Sequence, residues 1–414
     1  MRGVVSLLLL AVLCWANVGV SSGGTIISPF DCQSANFHQP DTSPWLSVSR
    51  GPGFYVSNVF QYWLTQEFIY GIDATSEWLE TQQWQLPSEV RPVNGLVLTY
   101  YDNAPDQQVL RVVLLDARNC LLEYYVTSVR PPAPPKYRLT TTYCFDAGLP
   151  LWQKIAPDDS TSMSNVRLLY LVSLTHVAVV SAETIQPLRI IKLPAGEIPV
   201  TSVVGAVYRR NKTGTGADQL FIIRGSNQTR QPSSEFLYYR VDTQESQLTF
   251  DHVTYLQGAS DTLFTNGNTM ELYWTEVVAN RNNDTQGLLY GYNLSPPHHF
   301  RQGSLNFTSW PQLQVNKEAM MITSTHQSNG RLGYTIYAVS LDQALPSLQL
   351  ADSLFVADAT LPSLGQGTFF HQDPQYQDID FSVVMASHNV AGNACLQVFF
   401  HCPGDSTESR CHIG

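Results

Sequence analysis

The fold is decided by a short segment, Tyr70-Gly-Ile-Asp73, at which an apolar run of sequence ends in a turn. Segments of the same kind recur along the chain. They are Tyr125-Val-Thr-Ser128, Val179-Val-Ser-Ala182, Tyr239-Arg-Val-Asp242, Tyr290-Gly-Tyr-Asn293, Tyr337-Ala-Val-Ser340 and the degenerate Phe399-Phe-His-Cys402. Their average spacing is about 55 residues, and self-similarity at roughly this period is typical of propellers and other repeat arrays.

Further runs with alternating apolar residues surround these segments. Trp84 and Leu86 follow the first segment, and residues 96–101 and 109–115 precede the second. Val, Ile, Leu, Tyr and Thr dominate the runs, and Gly, Pro, Asn and Asp bound them, as in β-strands. No window sustains a helical pattern over three turns except, weakly, residues 60–79, where alternation fits at least as well. Each unit therefore offers four strands, and the chain is predicted to be an all-β propeller of seven four-stranded blades. A pair of β-sandwiches is the alternative.

The last unit, which begins near Thr368, runs out of chain after its third strand. A strand near Ile26 to Cys32 is therefore expected to complete the last blade and close the ring. Three cysteines, Cys395, Cys402 and Cys411, lie near the C-terminus. We expect Cys32 to pair with one of these three and the other two to pair with each other, which would hold the closure covalently.

A secretory signal peptide is predicted at residues 1–22. Met1-Arg2 is a basic start, residues 4–13 form an apolar stretch too short to cross a bilayer, and small residues at 20–22 offer a cleavage site. No second long apolar stretch follows, so no membrane anchor is expected. The mature chain, residues 23–414, is interpreted as one secreted propeller domain.

A disulfide between Cys120 and Cys144 is predicted from hairpin symmetry. Partners in an antiparallel hairpin share a constant index sum, and the midpoint of this pair falls in the Pro-rich segment Arg130-Pro-Pro-Ala-Pro-Pro135. That segment is the obvious loop between the two runs. A cross-strand pair satisfies the short Cα–Cα distance that a disulfide requires, and the secretory route is oxidising.

Five Asn-x-Ser/Thr sequons predict N-glycosylation on surface loops or turns of a secreted chain. They are Asn211, Asn227, Asn283, Asn293 and Asn306. Because all five lie between residues 211 and 306, glycans are expected to shield one side of the ring and to leave the opposite side for contacts.

The charge balance argues against some partners. Lys and Arg number 23 against 34 Asp and Glu, which gives a net charge of -11, and no basic run exceeds two residues. Nucleic acids and anionic membranes require clustered basic residues, so they are poor candidates. An extracellular protein or a glycan suits this acidic, aromatic-containing chain better.

Catalytic motifs are missing from the sequence. It contains no Gly-x-Ser-x-Gly elbow, no His-Glu-x-x-His, no phosphate-binding Gly loop and no Cys-x-x-Cys. No catalytic residue or cofactor is predicted. Asp373, Asp378 and Asp380 form a weak calcium candidate, because calcium prefers oxygen ligands. Their spacing matches no EF-hand, and Asp and Pro between strands usually form a turn. The pair His298-His299 lies in a Pro-containing turn and is interpreted as a loop.

One unit carries a resemblance to a known family. Glu271-Leu-Tyr-Trp-Thr-Glu276, followed by Leu288-Leu-Tyr-Gly-Tyr-Asn293, resembles a single YWTD blade of the lipoprotein-receptor propellers. Those proteins are extracellular six-bladed rings that bind proteins. The resemblance covers one unit and implies an extracellular binding role, whereas the repeat count favours seven blades.

Three functions follow as hypotheses. The first is a secreted binding module whose loops grip a protein or glycan. The second is a metal-dependent hydrolase, such as a lactonase or esterase, with carboxylates converging in the central channel. Glu67, Asp242, Glu276 and Asp380 are its candidates. The third is a structural extracellular component.

Overall fold

A computed structural model defines the architecture. It describes residues 25–27, 39, 41–52, 59–73, 80–101, 108–128, 136–158, 166–210, 217–226, 233–242, 244, 246–257, 264–266, 271–279, 285–293, 300–305, 312–315, 319–328, 331–340, 347–357, 368–371, 381–388 and 391–402. These residues form strands, turns and bends, and none of them is helical. The predicted all-β class is confirmed.

Twenty-eight strands form seven antiparallel four-stranded sheets, which are the blades. Blade 1 contains β2 (Trp45–Pro52), β3 (Val59–Thr65), β4 (Phe68–Asp73) and β5 (Glu80–Gln85). Blade 2 contains β6 (Pro92–Tyr101), β7 (Gln108–Asp116), β8 (Cys120–Ser128) and β9 (Lys136–Cys144). Blade 3 contains β10 (Lys154–Pro157), β11 (Leu168–Val172), β12 (His176–Ser181) and β13 (Pro187–Lys192). Blade 4 contains β14 (Ser202–Arg209), β15 (Asp218–Ser226), β16 (Ser233–Asp242) and β17 (Gln247–Gln257).

The remaining blades follow the same plan. Blade 5 contains β18 (Phe264–Asn266), β19 (Glu271–Ala279), β20 (Thr285–Asn293) and β21 (Phe300–Leu305). Blade 6 contains β22 (Gln312–Val315), β23 (Ala319–Ser328), β24 (Arg331–Ser340) and β25 (Gln349–Ala357). Blade 7 contains β26 (Thr368–His371), β27 (Phe381–His388), β28 (Ala394–Cys402) and β1 (Thr25–Ile27). Each segment that marks the sequence repeat lies in the third strand of a blade, apart from Ala182, which directly follows β12, so the predicted seven units are confirmed.

The N-terminal strand completes the last blade. β1 pairs antiparallel with β28, and Ile26 lies opposite His401. The chain therefore supplies three strands of blade 7 from its C-terminal end and the fourth from its N-terminal end. The first strands of successive blades adjoin from β2 through β26, which places them around the centre of the ring. The protein is therefore a propeller and not a pair of β-sandwiches.

The apolar core lies between blades. Alternation along each strand sends successive side chains to opposite faces of a sheet. In β7, Val112 and Leu114 pack toward blade 1, whereas Val113 and Leu115 pack toward blade 3. A third cluster joins blades 3 and 4 through residues such as Tyr170 and Leu220. Because both faces of a blade are covered, its middle strands read as continuous apolar runs.

The meander order defines two faces of the ring. Turns between the second and third strands of a blade lie on the same face as the links that lead to the next blade. We call this the link face. In the first blades it includes turn residues 66–67, 117–119 and 173–175 and link residues 86–91, 145–153 and 193–201. The opposite face carries the other connections, such as residues 182–186.

Candidate binding face

Buried polar side chains hold successive links on the link face. Asp41 lies in the segment that enters blade 1, Asp116 and Asn119 belong to blade 2, and Arg224 and Glu235 belong to blade 4. Each case fixes the backbone of a link or of the entering segment. The four cases are centred on Asp41, Asp116, Asn119 and the pair formed by Arg224 and Glu235. Together they order this face from the ring closure to blade 4.

Asp41 organises the segment that enters blade 1. Its carboxylate is buried and accepts hydrogen bonds from the Thr65 hydroxyl (2.6 Å), the Tyr70 hydroxyl (2.7 Å) and the Ser43 backbone N–H (2.9 Å). The Ser43 hydroxyl donates to the same carboxylate. Burial raises the pKa of the Tyr70 hydroxyl, and its bond to Asp41 raises that pKa further. Tyr70 therefore remains a neutral donor to Asp41 at physiological pH.

The same segment also joins blade 7 to blade 1. The Ala394 backbone N–H donates to the Asp41 carbonyl oxygen at 2.6 Å. The Nε2 atom of His388 lies 3.0 Å from the Ser43 carbonyl oxygen, and the His388 ring lies against Trp45 at 6.2 Å between centroids. The ring closure is thus supported here by polar contacts as well as by the β1–β28 pairing.

Asp116 ties the link between blades 1 and 2. Its carboxylate accepts bonds from the Arg91 backbone N–H (3.2 Å) and from both the backbone N–H and Nε of Arg118, each at 2.8 Å. Burial alone would raise the pKa of Asp116, but these hydrogen bonds together with the charge of Arg118 outweigh it and lower the pKa below 3.8. Asp116 is therefore ionised at physiological pH, and in this form it accepts the hydrogen bonds from Arg91 and Arg118.

Asn119 holds the link between blades 2 and 3. It is buried and has a φ of 65°, a left-handed conformation that Asn tolerates better than most residues. Its Nδ2 donates to the Pro150 carbonyl oxygen (3.3 Å), and its Oδ1 accepts from the Trp152 backbone N–H (3.1 Å). Its own carbonyl oxygen accepts from the Phe145 N–H at 3.1 Å. One side chain therefore bonds on both sides of Leu151.

The disulfide between Cys120 and Cys144 adjoins this link. The two residues oppose each other at the ends of β8 and β9 and form a disulfide, as the index sum predicts. Each is next in sequence to a residue of the Asn119–Phe145 bond, so the disulfide supports the start of the link. Cys395 is also disulfide-bonded. Its partner, and the predicted pairing of Cys32, Cys402 and Cys411, lie outside the side chains that the structure describes.

A buried ion pair holds the link between blades 3 and 4. Arg224 Nη2 lies 2.5 Å from Glu235 Oε2, and both side chains are almost fully buried. Arg224 also donates to the carbonyl oxygens of Leu174 (2.8 Å) and Pro194 (3.1 Å). The backbone of Gly196 packs against the Glu235 carboxylate so closely that a Cβ would overlap it. A side chain at position 196 would therefore displace the link or the ion pair.

A second Arg–Glu pair contacts blade 3 on the face of the ring opposite the link face. Arg111 of β7 pairs with Glu123 of β8 and donates to the carbonyl oxygens of Ala182 and Glu183. The Thr140 hydroxyl donates to Glu123 at 2.7 Å. Blade 3 is thus held by an Arg–Glu pair on each face, one from blade 2 and one from blade 4.

The ordered links expose a small set of side chains. Leu151 is the most exposed large apolar residue described, at 63%. The exposed carboxylates in these turns and links are Glu67, Glu89, Asp146 and Glu197. The exposed cations there are Arg91 and Arg118, and Arg118 is paired with Asp116. The described turns and links of this face therefore carry more exposed carboxylates than exposed cations, together with one strongly exposed leucine.

The structure does not bring together the two hydrolase candidates that it describes fully. Glu67 is exposed in the β3–β4 turn on the link face, whereas Asp242 is exposed at the end of β16 on the opposite face. Neither residue belongs to the first strands that surround the centre of the ring. Glu276 lies in β19, and the side chain of Glu276 and all of Asp380 fall outside what the structure describes.

Other predicted sites fall on undescribed residues. Asp373, Asp378, Asp380 and the His298-His299 pair are among them, as are the sequons Asn211, Asn227, Asn283 and Asn306. Asn293 is the last residue of β20. Among the described side chains, no group of three His, Cys, Asp or Glu residues is placed to hold a metal ion. The described residues also contain no helix able to span a membrane.

Sequence reasoning missed the residues that order the face. Asp41 and Asn119 carry no signal, since single polar residues at turns are common. Arg224 and Glu235 did carry one, because each is a charge inside an apolar strand and they are symmetric about the loop between β15 and β16. The index-sum argument that predicts the Cys120–Cys144 disulfide would have paired them too.

The sequence of this chain does not match a known family. No family model matches the sequence, and no curated protein matches it. A solved structure, the WD40 domain of SCAP from fission yeast, is similar at 9% identity and a TM-score of 0.44, over 89% of this chain and 83% of that chain. The propeller assignment rests on the seven sheets and their ring closure.

Proposed function

We propose that this protein is a secreted glycoprotein that binds a protein or glycan partner through its link face. The observation that carries the proposal is the link at residues 145–153. Asn119 pins its backbone on both sides of Leu151, while residues 146–148 and 151 remain exposed. Loops held on a stable scaffold bind with less loss of conformational entropy, which is why binding sites occur on such loops.

A protein partner is favoured over a glycan. The exposed groups of the link face differ from blade to blade, and the most prominent is an aliphatic side chain. An aliphatic residue with charged neighbours matches the centre and rim of a protein interface. Sugar recognition would call instead for repeated polar groups or exposed aromatic rings, and the described turns and links of this face show an exposed leucine.

The binding function is tested with the mature, folded protein on an array of extracellular proteins and on a glycan array. A variant with Asp146→Lys and Glu197→Lys changes the link face, and Glu183→Lys changes the opposite face as a control. We expect a partner whose binding falls in the first variant and persists in the second. Blank arrays with folded protein, or loss of binding only in Glu183→Lys, would contradict the proposal.

Secretion and glycosylation are tested separately. The full-length chain, expressed in eukaryotic cells, should reach the medium with residues 1–22 removed, as intact mass and N-terminal sequencing would show. Treatment with an N-glycosidase should increase its gel mobility. A triple Asn211→Gln, Asn227→Gln, Asn283→Gln variant should lose most of that shift. Retention of the chain inside cells would exclude the secreted assignment.

A further inference from the structure

Leu151 differs from the other exposed leucines in how its backbone is held. Leu139, Leu188 and Leu350 are 50%, 52% and 48% exposed, and they lie in the outermost strands β9, β13 and β25. Single exposed apolar residues on such strands are ordinary features of protein surfaces. Leu151 is more exposed, at 63%, and lies in a link on the link face.

Hydrogen bonds anchor the link on both sides of Leu151. Before it, the Leu149 N–H closes a turn onto the Asp146 carbonyl oxygen at 2.9 Å, and Pro150 is bonded by Asn119. After it, the Trp152 N–H is bonded by Asn119, and the Gln153 N–H donates to the Val172 carbonyl oxygen at 2.9 Å. The Trp152 ring is buried against Phe145. The residues on both sides of Leu151 are thus fixed by hydrogen bonds, while the Leu151 side chain itself is exposed to water.

An ordered, exposed apolar side chain has the properties of an interface anchor. Its burial by a partner removes apolar surface from water, and little backbone entropy remains to be lost on binding. Interface energy concentrates in a few central residues that a partner buries fully, with a surrounding rim that excludes water. For Leu151, that rim would come from exposed polar residues of its own link, such as Asp146, and of the preceding and following links, such as Glu89 and Glu197.

The charge of the rim selects the partner. Glu67, Glu89, Asp146 and Glu197 are exposed on the link face, whereas Arg118 is neutralised by Asp116 and Arg91 is the remaining exposed cation of its described turns and links. A basic partner would gain attraction and faster association, and an acidic one would be repelled. None of the sequons lies before residue 211, so predicted glycans leave blades 1–3 uncovered.

We infer that the link face binds a polypeptide segment in which an apolar side chain, flanked by Lys or Arg, packs on Leu151. This inference rests on the proposed binding function and specifies its partner. The apolar side chain provides contact with Leu151, and the basic neighbours pair with the carboxylates of the rim.

The test uses the mature, secreted protein as bait for a phage-displayed library of random 12-residue peptides. Enriched peptides should contain an apolar residue with Lys or Arg on both sides. A synthetic consensus peptide should bind Leu151→Asp at least about ten-fold more weakly than wild type, as expected for an interface anchor. Binding to Leu188→Asp, a leucine of similar exposure on an outer strand, should be unchanged.

A second pair of variants examines the charge requirement. Glu197→Lys should weaken peptide binding and flatten its dependence on salt, whereas Glu183→Lys on the opposite face should leave both unchanged. All four variants alter exposed positions, so their urea unfolding midpoints should match that of wild type. Asn119→Gly allows the left-handed backbone conformation but removes the two side-chain hydrogen bonds to the link. This variant should therefore also bind the peptide more weakly.

Failure of the inference and failure of the binding function are distinguishable. Peptides that bind Leu151→Asp as tightly as wild type, or that lack basic residues, overturn the inference and leave a binding module. A glycan whose binding requires Leu151 overturns the polypeptide partner. If neither peptides nor glycans nor extracellular proteins bind, the proposed function fails together with the inference.

Discussion

Arg224 and Glu235 occupy directly opposed positions on β15 and β16, and their buried ion pair joins blade 4 to the backbone of blade 3. Two charges removed from water are tolerated because each has several partners. Arg224 satisfies the carbonyl oxygens of Leu174 and Pro194, and Glu235 lies within 3.4 Å of the Ile198 N–H. The pair thereby determines the path of the link between the two blades.

Glu235→Gln should destabilise the fold by about 3–5 kcal/mol, because it leaves the Arg224 charge buried without a counter-charge. The free energy of unfolding from urea titration measures this loss. Replacing both residues together, as Arg224→Met with Glu235→Leu, should recover part of it, since no unpaired charge remains.

The exposed pair of Arg240 and Asp251 provides the control. Its ion pair is 2.6 Å long, but the Arg240 side chain is 65% exposed. Asp251→Asn should therefore cost no more than about 1 kcal/mol. Equal losses for Glu235→Gln and Asp251→Asn would show that burial does not set the contribution of the first pair.

Asp41→Asn should weaken the ring closure. In Asn, an NH2 group replaces one carboxylate oxygen, and this group cannot accept the two hydrogen bonds that the oxygen accepts in wild type. A buried donor left without an acceptor costs about 1–3 kcal/mol. Amide exchange at Ala394, which bonds to the Asp41 carbonyl oxygen, should accelerate as blades 1 and 7 separate more often. Thr42→Ala, at the adjacent exposed position, should change neither quantity.

Removal of the β8–β9 disulfide should lower stability through the unfolded state. Cys120 and Cys144 are separated by 24 residues. For a loop of this length, the chain-entropy model gives about 3–4 kcal/mol for the double variant Cys120→Ala, Cys144→Ala. Urea unfolding of the oxidised wild type and of the variant makes the comparison. An unchanged midpoint would mean that the disulfide does not restrict the unfolded chain enough to affect stability.

Asp116 should contribute stability that depends on pH. Its pKa in the folded protein lies below 3.8, so the carboxylate binds its proton less readily in the folded chain than in the unfolded one. The contribution is fully present above about pH 4, and it is lost as the pH falls through the folded-state pKa. The difference in unfolding free energy between wild type and Asp116→Asn should therefore be large at pH 6 and shrink toward pH 2.

Asp146→Asn controls for the loss of one negative charge on the same face, because Asp146 is exposed. A difference between wild type and Asp116→Asn that stays constant from pH 6 to pH 2 would contradict the assigned role of the Asp116 carboxylate.

The strands were predictable because their signal is local. Residues 96–101 and 109–115 alternate or run apolar within a few positions, and β6 and β7 include both runs. Hairpin partners were also within reach, since Cys120 and Cys144 are symmetric about one loop. The positions of the hydrolase candidates Glu67 and Asp242 were not predictable, because residue type alone does not indicate which face a connection occupies.

The seven units, the fourth strand that the last unit lacks and the pairing of Cys120 with Cys144 were all accessible from the order of residues. They depend on alternation and spacing, which are visible along the chain. The polar side chains that order the links became apparent only in the folded protein. Asp41 meets Tyr70 across 29 positions, Asn119 meets Trp152 across 33, and Arg224 meets Leu174 across 50. Such contacts form because the fold brings strands, turns and links that are distant in sequence together, and no local pattern encodes that approach.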